Sequence, residues 1–258
     1  MPAHWTDGYY GELYLASVEA LLTPRLSRLE ADRIAALLGL GPGQRVLDLA
    51  CGHGRHAWLL AERVGWLLGL ERSESSLRRA RLGAAAATGA GPRVGPTPTF
   101  LCADLRALPL RPGSLDAVYS WYASLFMYDD AGNAAVLGAA ARLLRPGGRL
   151  LVHHANPLAL TADPHAEASH ALADGGLVEE VSDFDAATGV DRCARRLRLH
   201  DGRVLEATAE LRYYSPSEWE PLAERAGLRL TALTSSTPPP GGELGPGAPD
   251  LIALLETP

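Results

Sequence analysis

The stretch from Arg45 to Ala57, Arg-Val-Leu-Asp-Leu-Ala-Cys-Gly-His-Gly-Arg-His-Ala, decides how the rest of this 258-residue chain is read. Val46, Leu47 and Leu49 make a short apolar run with the length of one buried strand rather than a helix. The run breaks at Gly52 and Gly54 and passes into Ala57-Trp58-Leu59-Leu60-Ala61, which has helical composition and period. Strand, glycine turn and helix is the way an open α/β sheet presents backbone amides to a ligand at the carboxyl ends of its strands. Glycine suits such a turn because no Cβ intrudes where ligand and backbone nearly touch.

The next apolar run, Gly65 to Leu70, ends on Glu71. An acidic residue closing the second strand of such a unit is placed to accept hydrogen bonds from the two hydroxyls of a ribose. A dinucleotide-binding turn wants a third glycine where His56 stands, so that the helix sits close to a pyrophosphate. His56 and Arg55 therefore argue against a nicotinamide or flavin dinucleotide, and a nucleoside without a pyrophosphate remains.

Taken with the segments that follow, these residues are familiar. Val46 to His56 resembles motif I of the class I S-adenosylmethionine-dependent methyltransferases, and Leu70-Glu71 resembles their ribose-binding acidic motif. Cys102-Ala103-Asp104-Leu105 is similar to the adenine-contacting motif. Leu115 to Ser120 and Leu144 to Leu150 resemble the fourth-strand motif and the turn before the fifth strand. The resemblance covers Gly43 to Val152. It implies a Rossmann-like, seven-stranded α/β methyltransferase sheet flanked by helices, an enzyme of the methyltransferase class, and S-adenosylmethionine as cofactor with S-adenosylhomocysteine as product. It places the cofactor against Asp48, Ala50, Cys51, Gly52, His53, Gly54, Glu71, Arg72, Ala103, Asp104, Leu105, Ser120 and Trp121. Asp48 shapes the glycine loop within reach of the methionine ammonium, Arg55 meets the carboxylate, and Asp104 accepts from the adenine amino group.

Composition narrows the partners. A net charge of −6 and the absence of any Lys among 24 basic residues argue against a nucleic-acid surface. Three cysteines without a CxxC pair suit a reducing compartment. Met1 is followed by no signal-peptide pattern, and no apolar run is long enough to span a bilayer, so the expected location is the cytoplasm, without a membrane partner. His153 and His154 lack partners with metal-ligand spacing, so no metal is expected.

Four regions follow. Residues 1–42 read as an N-terminal helical cap rich in aromatics (Trp5, Tyr9, Tyr10 and Tyr14), with Pro24 breaking its first helix and Glu30 to Leu40 forming a second. Tyr14 is a candidate lid over the cofactor, where an aromatic face near a sulfonium gains cation–π attraction. Residues 43–157 form the cofactor-binding core, including a helix from Ser73 to Ala87 and a Gly/Pro-rich loop from Gly89 to Pro98. Residues 158–214 depart from the α/β pattern. Thr161 to Asp174 reads as loose or helical, and three alternating runs, Leu177 to Phe184, Cys193 to His200 and Arg203 to Tyr214, read as an inserted antiparallel sheet with an Asp201-Gly202 hairpin turn. Residues 215–258 complete the core with a helix and two strands around the stiff loop Thr237 to Gly242. The insert is expected to act as a lid or as a homodimer surface, because three short strands alone leave edges open.

The function so read is methyl transfer to an N or O atom of a small molecule, aligned rather than attacked by the protein. Trp121 to Tyr128 is the expected acceptor region, and His153, His154 and Tyr14 are the candidates for a catalytic base. An RNA or protein methyltransferase and a non-catalytic S-adenosylmethionine-binding protein are the alternatives.

Overall fold

The computed structural model describes residues 10, 12–18, 21–83, 96–122, 125–172, 174–237 and 244–258. The expectations for Trp5 and Tyr9, for the helix end at 84–87, for most of the 89–98 loop, for Ala123 and Ser124 and for 238–242 lie outside the described residues.

Seven strands make the central sheet: β1 (Arg45–Leu49), β2 (Trp66–Glu71), β3 (Thr99–Cys102), β4 (Leu115–Ser120), β5 (Leu144–Ala155), β10 (Arg229–Thr234) and β11 (Asp250–Glu256). Their order is β10-β11-β5-β4-β1-β2-β3, parallel from β5 through β3, with β11 antiparallel to both of its neighbours. The order reverses at β1, which lies between β2 and β4, and a ligand crevice is expected outside the carboxyl ends of the strands at that switch point.

Alternation along the strands splits the core into two layers. Val46, Ala117, Tyr119, Trp121, Leu151 and Ile252 face one side, under helices α2 (Pro24–Leu38) and α3 (Arg55–Leu60). Leu47, Leu49, Val118, Leu150, Val152 and Ala253 face the other, under α5 (Asp130–Leu143) and α7 (Trp219–Arg225). Two further helices precede and flank these, α1 (Glu12–Val18) and α4 (Glu74–Arg81), and α6 (Pro157–Ala162) follows β5. No helix among the described residues is long and apolar enough to cross a membrane.

Pro24 starts a helix rather than ending one. It sits at the first helical position of α2, where its fixed φ suits the helix and its missing N–H is no loss. Thr23 caps the turn by accepting from the Leu26 amide, and Gly39, at φ +62°, closes the helix in the left-handed conformation that glycine tolerates.

The insert is a four-stranded antiparallel sheet, β6 (His165–Ala171), β7 (Leu177–Asp185), β8 (Val190–Arg198) and β9 (Val204–Arg212), in that order. Only three strands were legible as such. The segment expected to be loose contains β6, whose seven residues are nearly all exposed and so carry no alternating apolar signal. The inward face of the sheet mixes apolar and paired polar residues: Val178 and Leu197 are buried, Phe184 and Leu211 pack against Met127, Ala155 and Leu160, Cys193 and Ala209 pack against Tyr10 and Tyr14, and between them Arg195 pairs with Glu180 and Ser182 donates to Asp191. The opposite face carries exposed charge pairs such as Arg192–Glu210 and Arg196–Glu206.

Gly65 shows how tightly the amino-terminal edge is packed. A Cβ there would stand 2.8 Å from the backbone of Gly43, which cannot step aside as a side-chain tip can. Gly65→Ala is therefore expected to lose about 1–3 kcal/mol of stability through overpacking. Because the residue lies at the opposite end of β2 from Glu71, cofactor affinity should stay the same. Thermal unfolding followed by circular dichroism checks this, and a Tm equal to that of the parent refutes it.

Candidate active site

The carboxyl ends of β1, β2 and β3 open into one pocket, roofed by Tyr10, Tyr14 and Leu22 from the N-terminal region and bounded by Met127 and Tyr128. Most residues expected at a cofactor line it: Asp48, Ala50, Cys51, Gly52, His53, Glu71, Arg72, Asp104, Leu105, Trp121 and Tyr14. Three do not. Gly54 is buried under Phe100, where a Cβ would stand 2.8 Å from the ring. Ala103 packs into the core, and strand alternation turns Ser120 to the α5/α7 side.

The turn after β1 is built for a close approach. Gly52 has φ +55°, and a Cβ there would meet no protein atom within 4 Å but would stand in open space at the pocket lining. Ala50 is held at φ +62° despite its Cβ, a strain of about 1–3 kcal/mol of the kind that concentrates at functional sites. The Glu71 carboxylate ties this turn to the one after β2. Its Oε2 accepts from the Gly52 amide at 3.0 Å, and its Oε1 accepts from the Arg72 and Ser73 amides at 2.7 and 2.8 Å. These amides fix the carboxylate at the end of β2, on the pocket lining. Asp104 is more heavily used. Oδ1 accepts from the Arg106 amide and Nε, and Oδ2 from Arg106 and Arg72, which hold its pKa well below the usual range. Its role here is to anchor two guanidinium groups at the pocket wall, and an adenine amino group has to compete with them.

Asp48 and Arg55 carry opposite charges into the pocket, and each keeps one atom without a hydrogen bond. Asp48 is 3% exposed and its Oδ2 has no partner; Arg55 is 5% exposed and its Nη2 has none. Buried polar atoms are normally satisfied, and an orphaned carboxylate oxygen and an orphaned guanidinium nitrogen on residues of one pocket suit the ammonium and carboxylate of an α-amino acid. Together with the bare turn at Gly52 and the acidic end of β2, this fits a nucleoside joined to an amino acid.

Behind Arg55 lies a group that sequence reasoning passed over. Glu30, on α2, is 7% exposed and is the common acceptor of a network. Arg55 Nη1 donates to Glu30 and also to Ser27, His56 Nε2 lies 2.9 Å from Glu30, the Tyr122 hydroxyl donates to it at 2.7 Å, and Trp121 Nε1 donates at 3.3 Å. Burial raises the Glu30 pKa, but the His56 hydrogen bond and the Arg55 charge outweigh it and hold the group at about 2. The signal in the sequence was a carboxylate one and two turns before Ile34 and Leu38, on their apolar stripe. Arg55 also lies 5.3 Å from the centre of the Tyr122 ring, and Tyr122 adopts φ +67°.

The candidate bases fare differently from expectation. His153 and His154 do point to opposite faces, but neither lines this pocket. His153 stacks on Trp121 at 4.2 Å, accepts the Tyr122 amide on Nδ1 and donates from Nε2 to Asp250, so both ring nitrogens are engaged. His154 is fully buried between Tyr213 and Trp219, and burial lowers its pKa to about 3. Tyr14 does line the pocket, with Arg195 5.3 Å from its ring centre, but burial pushes its hydroxyl pKa up. Burial and the charge of Arg55 hold His53 at about 4 and His56 at about 3, and burial keeps the Cys51 thiol protonated. Among the described residues, no three His, Cys, Asp or Glu side chains are grouped to hold a metal.

Asp48 gives the site a testable pH dependence. Burial lifts its pKa to about 7, against the pull of the Tyr119 hydroxyl and of the Arg55 charge. A folded-state pKa above the unfolded value of about 3.9 means the native state keeps a proton that the unfolded chain releases, so stability without ligand should fall as pH rises from about 4 to 7. A ligand ammonium favours the ionised form, so adenosylhomocysteine binding should expel a proton and tighten up to about tenfold from pH 6 to 7. Calorimetry across that range checks this. Asp48→Asn should bind more weakly and show a flat profile, and a wild-type profile in that variant would refute the assignment.

Comparison with known proteins follows the same geometry. Residues 46–148 match the family model described as a methyltransferase domain. Over 229 residues, 88% of this chain and 76% of the relative, the sequence is 32% identical to 27-O-demethylrifamycin SV methyltransferase of Amycolatopsis mediterranei. The CcbJ methyltransferase of Streptomyces caelestis superimposes with a TM-score of 0.74 at 22% identity, over 97% of this chain and 98% of its own. The S-adenosylmethionine-bound structure of CalS10, an amino pentose methyltransferase from Micromonospora echinaspora, superimposes with a TM-score of 0.60 at 19% identity, over 100% of this chain and 93% of its own.

Proposed function

The chain belongs to the class I S-adenosylmethionine-dependent methyltransferases, and we propose that within that family it methylates an oxygen or nitrogen atom of a small molecule. The observation that carries the acceptor class is the roof of the pocket. Tyr10, Tyr14 and Leu22 stand over the side where Tyr122 and Met127 lie, leaving a partly covered aromatic recess, which supports a small molecule over a polymer laid in a groove. The acidic net charge supports the same choice over an RNA acceptor. The relative from Amycolatopsis mediterranei is named for an O-methyl transfer. Apolar residues on the inward face of the inserted sheet pack against Tyr10, Tyr14 and Met127, which supports a wall of the pocket rather than a dimer surface.

When bound, S-adenosylmethionine supplies a methyl group already activated by a sulfonium. The residues of this chain then have four tasks. Glu71 and the Gly52 turn position the nucleoside, and Asp48 and Arg55 hold the amino-acid end. Tyr14, Trp121 and Tyr122 exclude water and align the attacking atom. Alignment of this kind supplies up to about 7–11 kcal/mol. Neither imidazole of this pocket serves as the base: His53 and His56 are desolvated, and a group with a pKa of about 3 or 4 is a poor base at neutral pH.

The experiment is a screen of small-molecule acceptors with methyl-labelled cofactor, followed by the pH dependence of turnover at saturating cofactor for two acceptors of different pKa. The rate should follow the ionisation of each acceptor, so that the inflection moves with the acceptor. An inflection that stays in place whichever acceptor is used would assign a base to the protein and overturn the alignment reading. Transfer to RNA or protein but to none of the small molecules would overturn the acceptor class.

A further inference from the structure

A second cavity, of about 490 Å³, lies on the far side of Trp121 and Tyr122 from the cofactor pocket, and these two residues line both. Its walls come from α2, from the ends of β4 and β5 and from the residues that precede β11. Leu26, Leu29, Tyr213 and Pro249 make it largely apolar, and its volume falls in the range of small-molecule sites.

The charges on its walls are unevenly available. Glu30 takes donors from Arg55, His56, Trp121 and Tyr122. Asp250 takes His153 at 3.1 Å, the Ser235 hydroxyl at 2.5 Å, the Ser236 amide at 2.7 Å and the Ser236 hydroxyl. Both carboxylates are therefore occupied, and neither offers a free oxygen to a cation. Arg33 is the converse. Its Nη2 donates only to neutral oxygens, the Thr234 hydroxyl at 3.3 Å and the Ser235 carbonyl at 3.1 Å, and its buried Nε has no partner. Asp250, like Arg33, has no oppositely charged Arg or carboxylate hydrogen-bonded to it, but its acceptor positions are taken, so Arg33 is the charged group on these walls that keeps a hydrogen-bonding atom without a partner, against a largely apolar, aromatic lining.

Resting on the methyltransferase reading, we propose that this cavity binds the body of the acceptor, and that the acceptor is a planar apolar ring system bearing an anionic oxygen, a carboxylate or an ionised phenol, which Arg33 meets. The ring system stacks in the space between Tyr213 and the Trp121–Tyr122 wall, so the atom to be methylated passes that wall into the cofactor pocket. An acceptor whose body carries an ammonium group is disfavoured, because it would face Arg33 with no carboxylate free to receive it.

The test uses the full chain saturated with adenosylhomocysteine, with 2-naphthoate and 2-naphthylmethylamine as probes of equal shape and opposite charge. Calorimetry should show 2-naphthoate binding at least tenfold more tightly than the amine, without displacing adenosylhomocysteine. R33Q should weaken 2-naphthoate roughly tenfold, the scale of one lost hydrogen bond to a charged group, and leave adenosylhomocysteine affinity unchanged. Leu29 is 58% exposed, so L29E changes the rim with little risk to folding and should also weaken the anion. The proposal is overturned if the amine binds as well as the anion or if neither probe binds. It is equally overturned if 2-naphthoate competes with adenosylhomocysteine, or if both variants bind 2-naphthoate like the parent. Loss of adenosylhomocysteine binding by the parent chain would instead count against the methyltransferase reading itself.

Discussion

One buried carboxylate, Glu30, holds this site together. A charge removed from water needs partners close at hand, and removing one member of such a cluster leaves the others exposed to the full desolvation penalty. Glu30 has four partners from two separate parts of the chain, Arg55 and His56 on α3 and Trp121 and Tyr122 after β4. These contacts lock α2 onto the glycine-turn helix and onto the edge of the sheet at once. They also set directions. Arg55 spends Nη1 on Glu30 and Ser27, and its buried Nη2 is left without a hydrogen-bond partner. Tyr122 is gripped at its hydroxyl by Glu30 and at its amide by His153, which stabilises a backbone conformation that a residue with a Cβ seldom adopts.

The polar slot that results is placed by strand alternation. Asp48, Tyr119, Trp121 and His153 all project to the α2/α3 side, so the face of the sheet that buries Val46, Ala117 and Leu151 becomes polar as the strands reach their carboxyl ends. On the other face the strand ends carry Ser120 and His154, and His154 is simply packed, ring against ring, between Tyr213 and Trp219. Two adjacent histidines in one strand therefore have unrelated roles. Both non-glycine residues with positive φ among the described residues, Ala50 and Tyr122, stand at the same carboxyl edge. Strain there is tolerable because neighbouring hydrogen bonds over-determine the backbone.

The parts of this architecture that repeat a local rule were legible in the sequence. The Val46–Leu49 run, the glycine turn and Glu71 announce the first half of the sheet, and the Asp201-Gly202 turn marks the β8–β9 hairpin, where Gly202 has φ +84°. What was not legible depends on tertiary partners. Nothing local separates a helical glutamate on a solvated face from Glu30, apart from its spacing to Ile34 and Leu38. β6 went unseen because an exposed edge strand needs no apolar face. The engagement of Asp104 by Arg72 and Arg106 joins residues 32 apart, and two near neighbours, in a geometry that only the folded turn creates. Pro24 was read as a stop because proline is equally at home just before a helix interior and just after a helix end.

Burial of the imidazoles has a consequence for the charge of the pocket. The cofactor of this family carries a sulfonium and an ammonium, so any further positive charge on the walls would repel it. His53 and His56 both line the pocket, and burial together with Arg55 keeps both neutral through the physiological range. Arg55 is the cation that must be present if a ligand carboxylate is to be held, and Glu30 matches its charge from behind. Asp48 and Glu71 are acidic groups on the lining of the same pocket. At Asp48 the same desolvation that silences the histidines lowers the cost of leaving the site without ligand, because the carboxyl can keep its proton until a cation arrives. Desolvation thus acts on acids and bases in the same sense, toward neutrality. The site becomes charged where Arg55 and Glu30 compensate each other, and at Asp48 when the ligand brings the opposite sign.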